Sequence, residues 1–94
     1  MNYNKKTTSS DDFVSTAYYE LGISCYEKGY YDKAINSYKH AIELKSDFAD
    51  AYFNMGVAYH KKGNYDIAIE NFQIAARLGN EKAQVWLSKY GILW

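Results

Sequence analysis

The sequence predicts an all-α array of helix-turn-helix units. Residues 15–48 are repeated without a gap in residues 49–82, and these two 34-residue blocks share eleven identical positions. Within each block, apolar and small residues recur at spacings of three and four, the rhythm of an amphipathic helix. Self-similarity at such a period is typical of supersecondary units that bury their apolar faces against one another. Function is therefore expected on a surface and not in a catalytic cleft.

The expected elements follow from the positions of glycine and of capping residues. Gly29 and Gly63 each follow a lysine at equivalent positions, which predicts a left-handed residue ending one helix just before the next begins. We expect five helices, at about residues 12–28, 31–45, 48–62, 65–78 and 81–90. Side chains able to accept from free backbone N–H groups precede four of them, namely Ser10-Asp11-Asp12, Ser46-Asp47, Asn64 and Asn80.

The predicted organisation is one small domain. Residues 1–11 are expected to form a flexible polar arm and residues 12–94 the folded domain, which comprises repeat 1 (15–48), repeat 2 (49–82) and a capping helix (83–94). Ninety-four residues leave little room for a large buried active site.

Charge and cysteine content narrow the classes of partner and compartment. The chain has eleven acidic and eleven basic residues, evenly mixed, so it offers no basic stripe to nucleic acid or to an anionic membrane. No segment approaches the about 18 apolar residues needed to cross a bilayer, and the N-terminus lacks the apolar stretch of a signal peptide. Cys25 is the single cysteine, which fits a reducing compartment, and we expect a cytoplasmic protein.

The repeated positions show a specific order of residue types. The first helix of a block carries a tyrosine, then leucine or methionine and a glycine, then cysteine or tyrosine, and the second helix carries alanine, an aromatic and alanine. These positions are Tyr18, Leu21, Gly22, Cys25, Ala34, Tyr38 and Ala41 in the first block and Tyr52, Met55, Gly56, Tyr59, Ala68, Phe72 and Ala75 in the second. This order resembles the tetratricopeptide repeat family.

The resemblance implies a right-handed superhelical α-solenoid of two repeats plus a closing helix. A third copy starts at Ala83 with Trp86 in the aromatic place, and it runs out after one helix. Cys25 stands where the family usually has an aromatic, and the proline frequent at the block junction is missing. The run from Ala75 to Ala83 also resembles the related Sel1-like repeat, but the strict 34-residue offset favours the first family.

The resemblance also implies a concave groove lined by the first helix of each block, which such repeats use to bind a peptide or a helix of a partner protein. The residues expected there are Tyr19, Ile23, Tyr26, Phe53, Asn54, Val57, His60 and Leu87. Tyr19 and Phe53 could equally serve packing alone. We interpret Ile23 and Val57 as residues that contact a ligand or a second copy of the chain. The alternative is that neighbouring helices partly bury them.

The predicted groove residues can be compared with those of family members that bind one known class of ligand, the acidic C-terminal tails of chaperones. Family members that hold the C-terminal carboxylates of chaperone tails use a clamp of lysine, asparagine and arginine side chains, because paired carboxylates need converging cationic donors. The corresponding residues are Tyr19, Ile23, Asn54, Gln84 and Ser88, of which only Asn54 fits. We expect no carboxylate-clamp ligand for this chain.

Neither an enzyme nor a cofactor or metal site is expected. His40, His60 and Cys25 lie on three different predicted helices, without a second ligand at helical spacing. Asp11 and Asp12 are adjacent carboxylates at a helix start, which capping explains.

Self-association is the alternative to a peptide-binding adaptor. Two blocks and one helix fall short of the about three repeats wanted for independent stability. The chain ends Tyr90-Gly91-Ile92-Leu93-Trp94, an apolar segment that can fold back over the last hairpin, dock in the groove of another copy to form a homodimer, or be the cut end of a longer protein.

Overall fold

The structure, a computed structural model, describes residues 9–94. The described part contains five helices and no strand. They are α1 (Ser9–Glu27), α2 (Tyr31–Leu44), α3 (Ala49–Lys61), α4 (Tyr65–Arg77) and α5 (Glu81–Lys89). Helices adjacent in the sequence pack against one another. The predicted all-α solenoid of helical hairpins is therefore confirmed.

The turns within the hairpins form where glycine predicted them. Gly29 has a φ of 82° and donates its N–H to the carbonyl of Tyr26 at 2.9 Å, while the N–H of Tyr30 reaches the carbonyl of Cys25 at 2.9 Å. This pair of bonds is a Schellman motif, which satisfies the last carbonyls of α1. Gly63, with a φ of 84°, ends α3 in the same way.

The first helix begins earlier than the sequence indicated. We expected residues 1–11 to form a flexible arm, but Ser9, Ser10 and Asp11 belong to α1, so the arm was wrong for these three residues. Asp11 and Asp12 lie in the first helical turn, where the positive end of the helix dipole favours carboxylates. Residues 1–8, the rest of the expected arm, lie outside the described part of the chain.

Side-chain capping is less frequent than predicted. The residue that caps α3 is Phe48 and not Ser46 or Asp47, and neither Phe48 nor Asn64 accepts a side-chain capping bond. Asn80 caps α5 as expected, since its Oδ1 accepts the N–H of Ala83 at 2.8 Å.

The core of each hairpin is an aromatic ring against a glycine. A Cβ atom added at Gly22 would lie 2.7 Å from Cδ1 of Tyr38, and one added at Gly56 would lie 2.7 Å from Cδ1 of Phe72. Both rings are nearly completely buried. Fully or almost fully buried alanines surround them at the predicted positions, namely Ala34, Ala41, Ala68 and Ala75. Small residues thus bring the two helices close enough to enclose the rings.

Replacing the second glycine tests this contact. Gly56→Ala should lower the free energy of unfolding by about 1–3 kcal/mol, because the new methyl group meets both Phe72 and the backbone carbonyl of Ala68. This loss should appear although alanine favours an isolated helix over glycine by about 1 kcal/mol.

Urea unfolding followed by circular dichroism measures the change. The matched control is Glu70→Ala on the exposed side of α4, which should leave the unfolding midpoint nearly unchanged. A Gly56→Ala variant as stable as the unmodified protein would contradict the close approach of α3 and α4.

Candidate functional site

The centre of the candidate groove lies between α1 and α3. A cavity of about 150 Å³ lies there, with α2 also on its wall, and its lining residues are Ile23, Tyr26, Glu27, Tyr38, Asn54 and Val57. Four of the eight predicted groove residues therefore meet in one depression.

A second depression continues the groove towards α5. Asn54 lines it too, together with Tyr19 and Phe53, and its volume is about 340 Å³. The remaining lining residues come from α3, from the turn before α5 and from the start of α5, and they are Asp50, Gly79, Asn80, Glu81 and Lys82. Because Asn54 lines both depressions, α1, α3 and the start of α5 form one surface.

Polar contacts fix the side chains between the two depressions. The amide Nδ2 of Asn54 donates to the hydroxyl of Tyr19 at 3.0 Å, and the ring of Tyr19 lies 4.8 Å from that of Phe48, centroid to centroid. Nearby, Nδ2 of Asn80 donates to Oδ1 of Asp50 at 2.8 Å. These bonds join α1 to α3 and α3 to the cap of α5, so the groove wall is held in place before any ligand arrives.

The two tyrosines of this region remain protonated at physiological pH. Burial raises the pKa of Tyr19, the nearby Asp50 carboxylate raises it further, and the hydrogen bond with Asn54 lowers it in part. Burial likewise raises the pKa of Tyr38. Both phenols are therefore neutral hydrogen-bonding groups at physiological pH.

The aromatic residues of the predicted groove are partly engaged in packing. The ring of Phe53 is 5.4 Å from that of the buried Phe72, and the ring of Tyr26 is 5.4 Å from that of Tyr31. Ile23 and Val57 are only half-buried and line the central depression, so they are the apolar side chains best placed to contact a ligand.

The last helix does not keep the offset that relates the two blocks. Helix α4 begins at Tyr65, in register with Tyr31 at the start of α2, but α5 begins at Glu81, two positions too early to be in register with Ala49. Helix α4 is one residue shorter than α2, and its connection to the next helix is one residue shorter as well. Gly79, with a φ of 100°, ends α4 so sharply that the next residue already caps α5.

This shift removes Leu87 from the groove. Aligning the start of α5 with the start of α3 pairs Ala83 with Ala51 and Leu87 with Met55. All four side chains are buried, and they form the face that packs on the preceding helix. The prediction that Leu87 lines the groove was wrong, because it rested on the period of the first two blocks, which α5 does not follow.

The same shift places the ring of Trp86 against the core and against α3. Trp86 is equivalent to Asn54 and not to Tyr52, so the predicted aromatic place was wrong. Its ring lies 4.6 Å from the ring of Phe72 and 6.2 Å from that of His60, in the angle between α3 and α5. His60, one of the predicted groove residues, is exposed and packs on Trp86 from α3.

Trp86 is the functional candidate that the sequence reasoning missed. The signal for it was the run from Ala75 to Ala83, whose Gly79-Asn80 step has no counterpart in the first junction. The other residues beside Trp86 on the outer face of α5 are Glu81, Lys82, Val85 and Lys89.

The shift also changes the residues at the carboxylate-clamp positions. Lys82 and Trp86 take the places predicted for Gln84 and Ser88, so Lys82 joins Asn54 as a fitting residue. A clamp needs several cationic side chains that converge on the carboxylates, and the other three positions, Tyr19, Ile23 and Trp86, supply none. That the chain binds no carboxylate-clamp ligand stays a prediction.

The C-terminal segment folds back along α4. Gln73 and Arg77 donate side-chain hydrogen bonds to the carbonyls of Leu93 and Trp94, at 2.9 Å and 2.7 Å, and Ile92 packs on the core. The segment therefore takes the first of its three predicted placements, in which it folds back over the last hairpin.

Residues 9–94 contain no group of three or more histidine, cysteine, aspartate or glutamate side chains that could hold a metal ion. None of the helices in this range is long and apolar enough to cross a membrane.

Comparison with known proteins identifies the family. Residues 22–63 match a sequence profile described as TPR repeat, and residues 49–79 match one described as Tetratricopeptide repeat. The chain belongs to the tetratricopeptide repeat family. Tetratricopeptide repeats form a protein-interaction fold that is generally non-catalytic, which makes this chain a protein-interaction module.

A solved structure supports the same conclusion. The crystal structure of MamA superposes with a TM-score of 0.68 and is 32% identical over 69% of this tetratricopeptide repeat chain. The chain spans 38% of the MamA chain. A comparison with curated protein sequences gives no match.

Alkaline pH should destabilise this repeat domain through Tyr38. Its pKa is raised in the folded state from the ordinary value of 10.0, so its contribution to stability is fully present below that pH and is lost as the pH rises through the folded-state pKa. The free energy of unfolding should therefore fall above pH of about 10.

Urea unfolding between neutral and strongly alkaline pH measures this fall. Tyr38→Phe keeps the ring over Gly22 and removes the ionising group, so its decline should be shallower, while Tyr65→Phe at an exposed position is the control. Identical pH profiles for Tyr38→Phe and the unmodified protein would show that ionisation of Tyr38 does not cause the loss of stability at alkaline pH.

Proposed function

We propose that the groove formed by α1, α3 and α5 binds a helical or extended peptide of a partner protein through apolar anchor side chains. The observation that carries the proposal is the depression between Ile23 and Val57, where two half-buried aliphatic side chains flank a preformed cavity of about 150 Å³. Such a cavity suits one aliphatic or aromatic side chain of a ligand.

The rest of the proposed site extends towards α5. Asn54 lies between the two depressions and offers an amide to a peptide backbone, while Tyr19 and Phe53 form the wall of the larger depression. We propose Trp86 as the anchor contact at the α5 end, with Tyr26 and His60 at the rim. Tryptophan and tyrosine are frequent among the residues that contribute most to binding.

Charge does not select the ligand strongly at this surface. In the larger depression Asp50 and Glu81 lie beside Lys82, so charges of both signs are present there. The whole chain is neutral as well. We therefore expect the spacing of the apolar anchors to determine which peptide binds, with weak dependence on salt.

Self-association is the second proposal, and it rests on the C-terminal segment. Leu93 is 87% exposed and Trp94 is 43% exposed, although their carbonyls are held by α4. These two side chains are accessible to the groove of a second copy. Sedimentation equilibrium at tens of micromolar protein distinguishes the proposals, because a monomer that binds peptides supports the first and a dimer lost in Leu93→Ser/Trp94→Ser supports the second.

A glutamate pair in the groove tests the peptide proposal. Peptides selected by the unmodified protein from a displayed random library should bind Ile23→Glu/Val57→Glu at least about 100-fold more weakly, because an ionised carboxylate would face the apolar anchor. Isothermal titration calorimetry gives the two dissociation constants. We avoid Phe53→Glu because the ring of Phe53 packs on Phe72 in the core.

The matched control carries the same charges elsewhere. Ile67→Glu/Leu78→Glu changes two aliphatic side chains that are each 40% exposed and that line neither depression of the groove. This variant should bind the selected peptides with unchanged affinity. Equal affinities for both double variants would place the peptide site outside the groove.

A further inference from the structure

The outer face of α1 is equivalent to a face of α3 that the protein itself covers. We call the positions Ala17, Leu21, Ser24 and Lys28 the α1 end face. Their equivalents in the second block are Ala51, Met55, Ala58 and Lys62. Two of the four pairs are identical and the others differ little in size, so the two faces have similar shape and chemistry.

The two faces differ completely in burial. Ala51 and Ala58 are 0% exposed and Met55 is 6% exposed, because α2 packs on them. At the equivalent positions Ala17 and Ser24 are exposed and Leu21 is 51% exposed. The α1 end face is thus built like an interface between helices that has no helix on it among the described residues.

Helix α2 shows which chemistry covers such a face. Ile35 lies in one buried cluster with Met55 and Ala58, and Ile42 packs against that cluster. In the first turn of α2, Asp32 forms an ion pair with Lys62. The covering helix therefore carries an aspartate followed by isoleucines at the third and tenth positions after it.

The charges of the α1 end face fit the same pattern. A depression of about 480 Å³ beside Leu21 is lined by Lys28 and Lys33 and by no acidic residue. Lys28 is the equivalent of Lys62, but it has no ion pair within residues 9–94. An aspartate at the start of a docked helix would supply the missing partner.

We propose that the α1 end face binds an amphipathic helix of another protein, with an aspartate in its first turn and isoleucines at the third and tenth positions after it. A second copy of this chain does not provide that helix. The matching face of α2 is covered by α3, and α4, which repeats the Asp66-to-Ile69 spacing, is covered by α5. This surface is separate from the groove and does not depend on the proposed peptide site.

The test uses a helix that already fits the equivalent face. The probe is a peptide with the sequence of residues 30–45, labelled with fluorescein and held helical by a hydrocarbon staple between positions 36 and 40, both exposed on α2. Because the staple supplies the helix, absence of binding to the unmodified protein overturns the proposal. Fluorescence anisotropy with the full chain gives the dissociation constant.

A charge exchange distinguishes the proposed docking from adventitious apolar binding. Lys28→Glu in the protein should weaken binding about 10-fold, since an attraction becomes a repulsion. A probe that carries Asp32→Lys should bind the unmodified protein similarly weakly and should regain the affinity with Lys28→Glu to within about 3-fold. Failure of this exchange to restore binding overturns the proposal.

Two further variants locate the site. Leu21→Glu should remove binding of both probes, and Leu21 is exposed enough for the variant to fold, which a thermal melt checks. Ile23→Glu/Val57→Glu, which disables the groove, should bind the probe with unchanged affinity. Binding that survives Leu21→Glu, or that is lost with the groove variant, would show that the probe does not dock on the α1 end face.

Discussion

Each hairpin of this protein depends on an aromatic ring that lies over a glycine. Tyr38 covers Gly22 and Phe72 covers Gly56, at distances that leave no room for a Cβ atom. The contact sets how closely the two helices of a hairpin approach, and that approach buries the alanines around the rings. The groove follows from it, because Tyr38 is at once the core residue of the first hairpin and part of the wall of the central depression.

The junction between α4 and α5 determines the far end of the groove. A shift of two residues turns a helix by about 200°. The face that would have packed on the neighbouring helix then points away from it, and a different face packs instead. Here the shift buries Leu87 and brings Trp86 against His60. Lys82 and Trp86 consequently occupy the places expected for Gln84 and Ser88. A slightly shorter α4 and a slightly shorter connection thus change the chemistry of the whole α5 wall.

The groove and the α1 end face have different physical origins. The groove is a concavity between first helices, with partly buried apolar residues and a bonded pair, Tyr19 and Asn54, already in place. The α1 end face is an interface of the repeat itself, with the same residue types that α2 covers on α3. A repeat fold forms the second kind of surface between neighbouring units, because each unit is built to contact the next.

The sequence alone determined the hairpins, since Gly29, Gly63 and the apolar spacing act through local backbone geometry and through contacts that both blocks share. It also placed Ile23, Asn54 and Val57 together, because the first two blocks keep one offset. Only the tertiary structure decided which face α5 presents. That face depends on how α5 docks on its neighbour, and the pattern of residue types in the chain is compatible with burial of either Leu87 or Trp86.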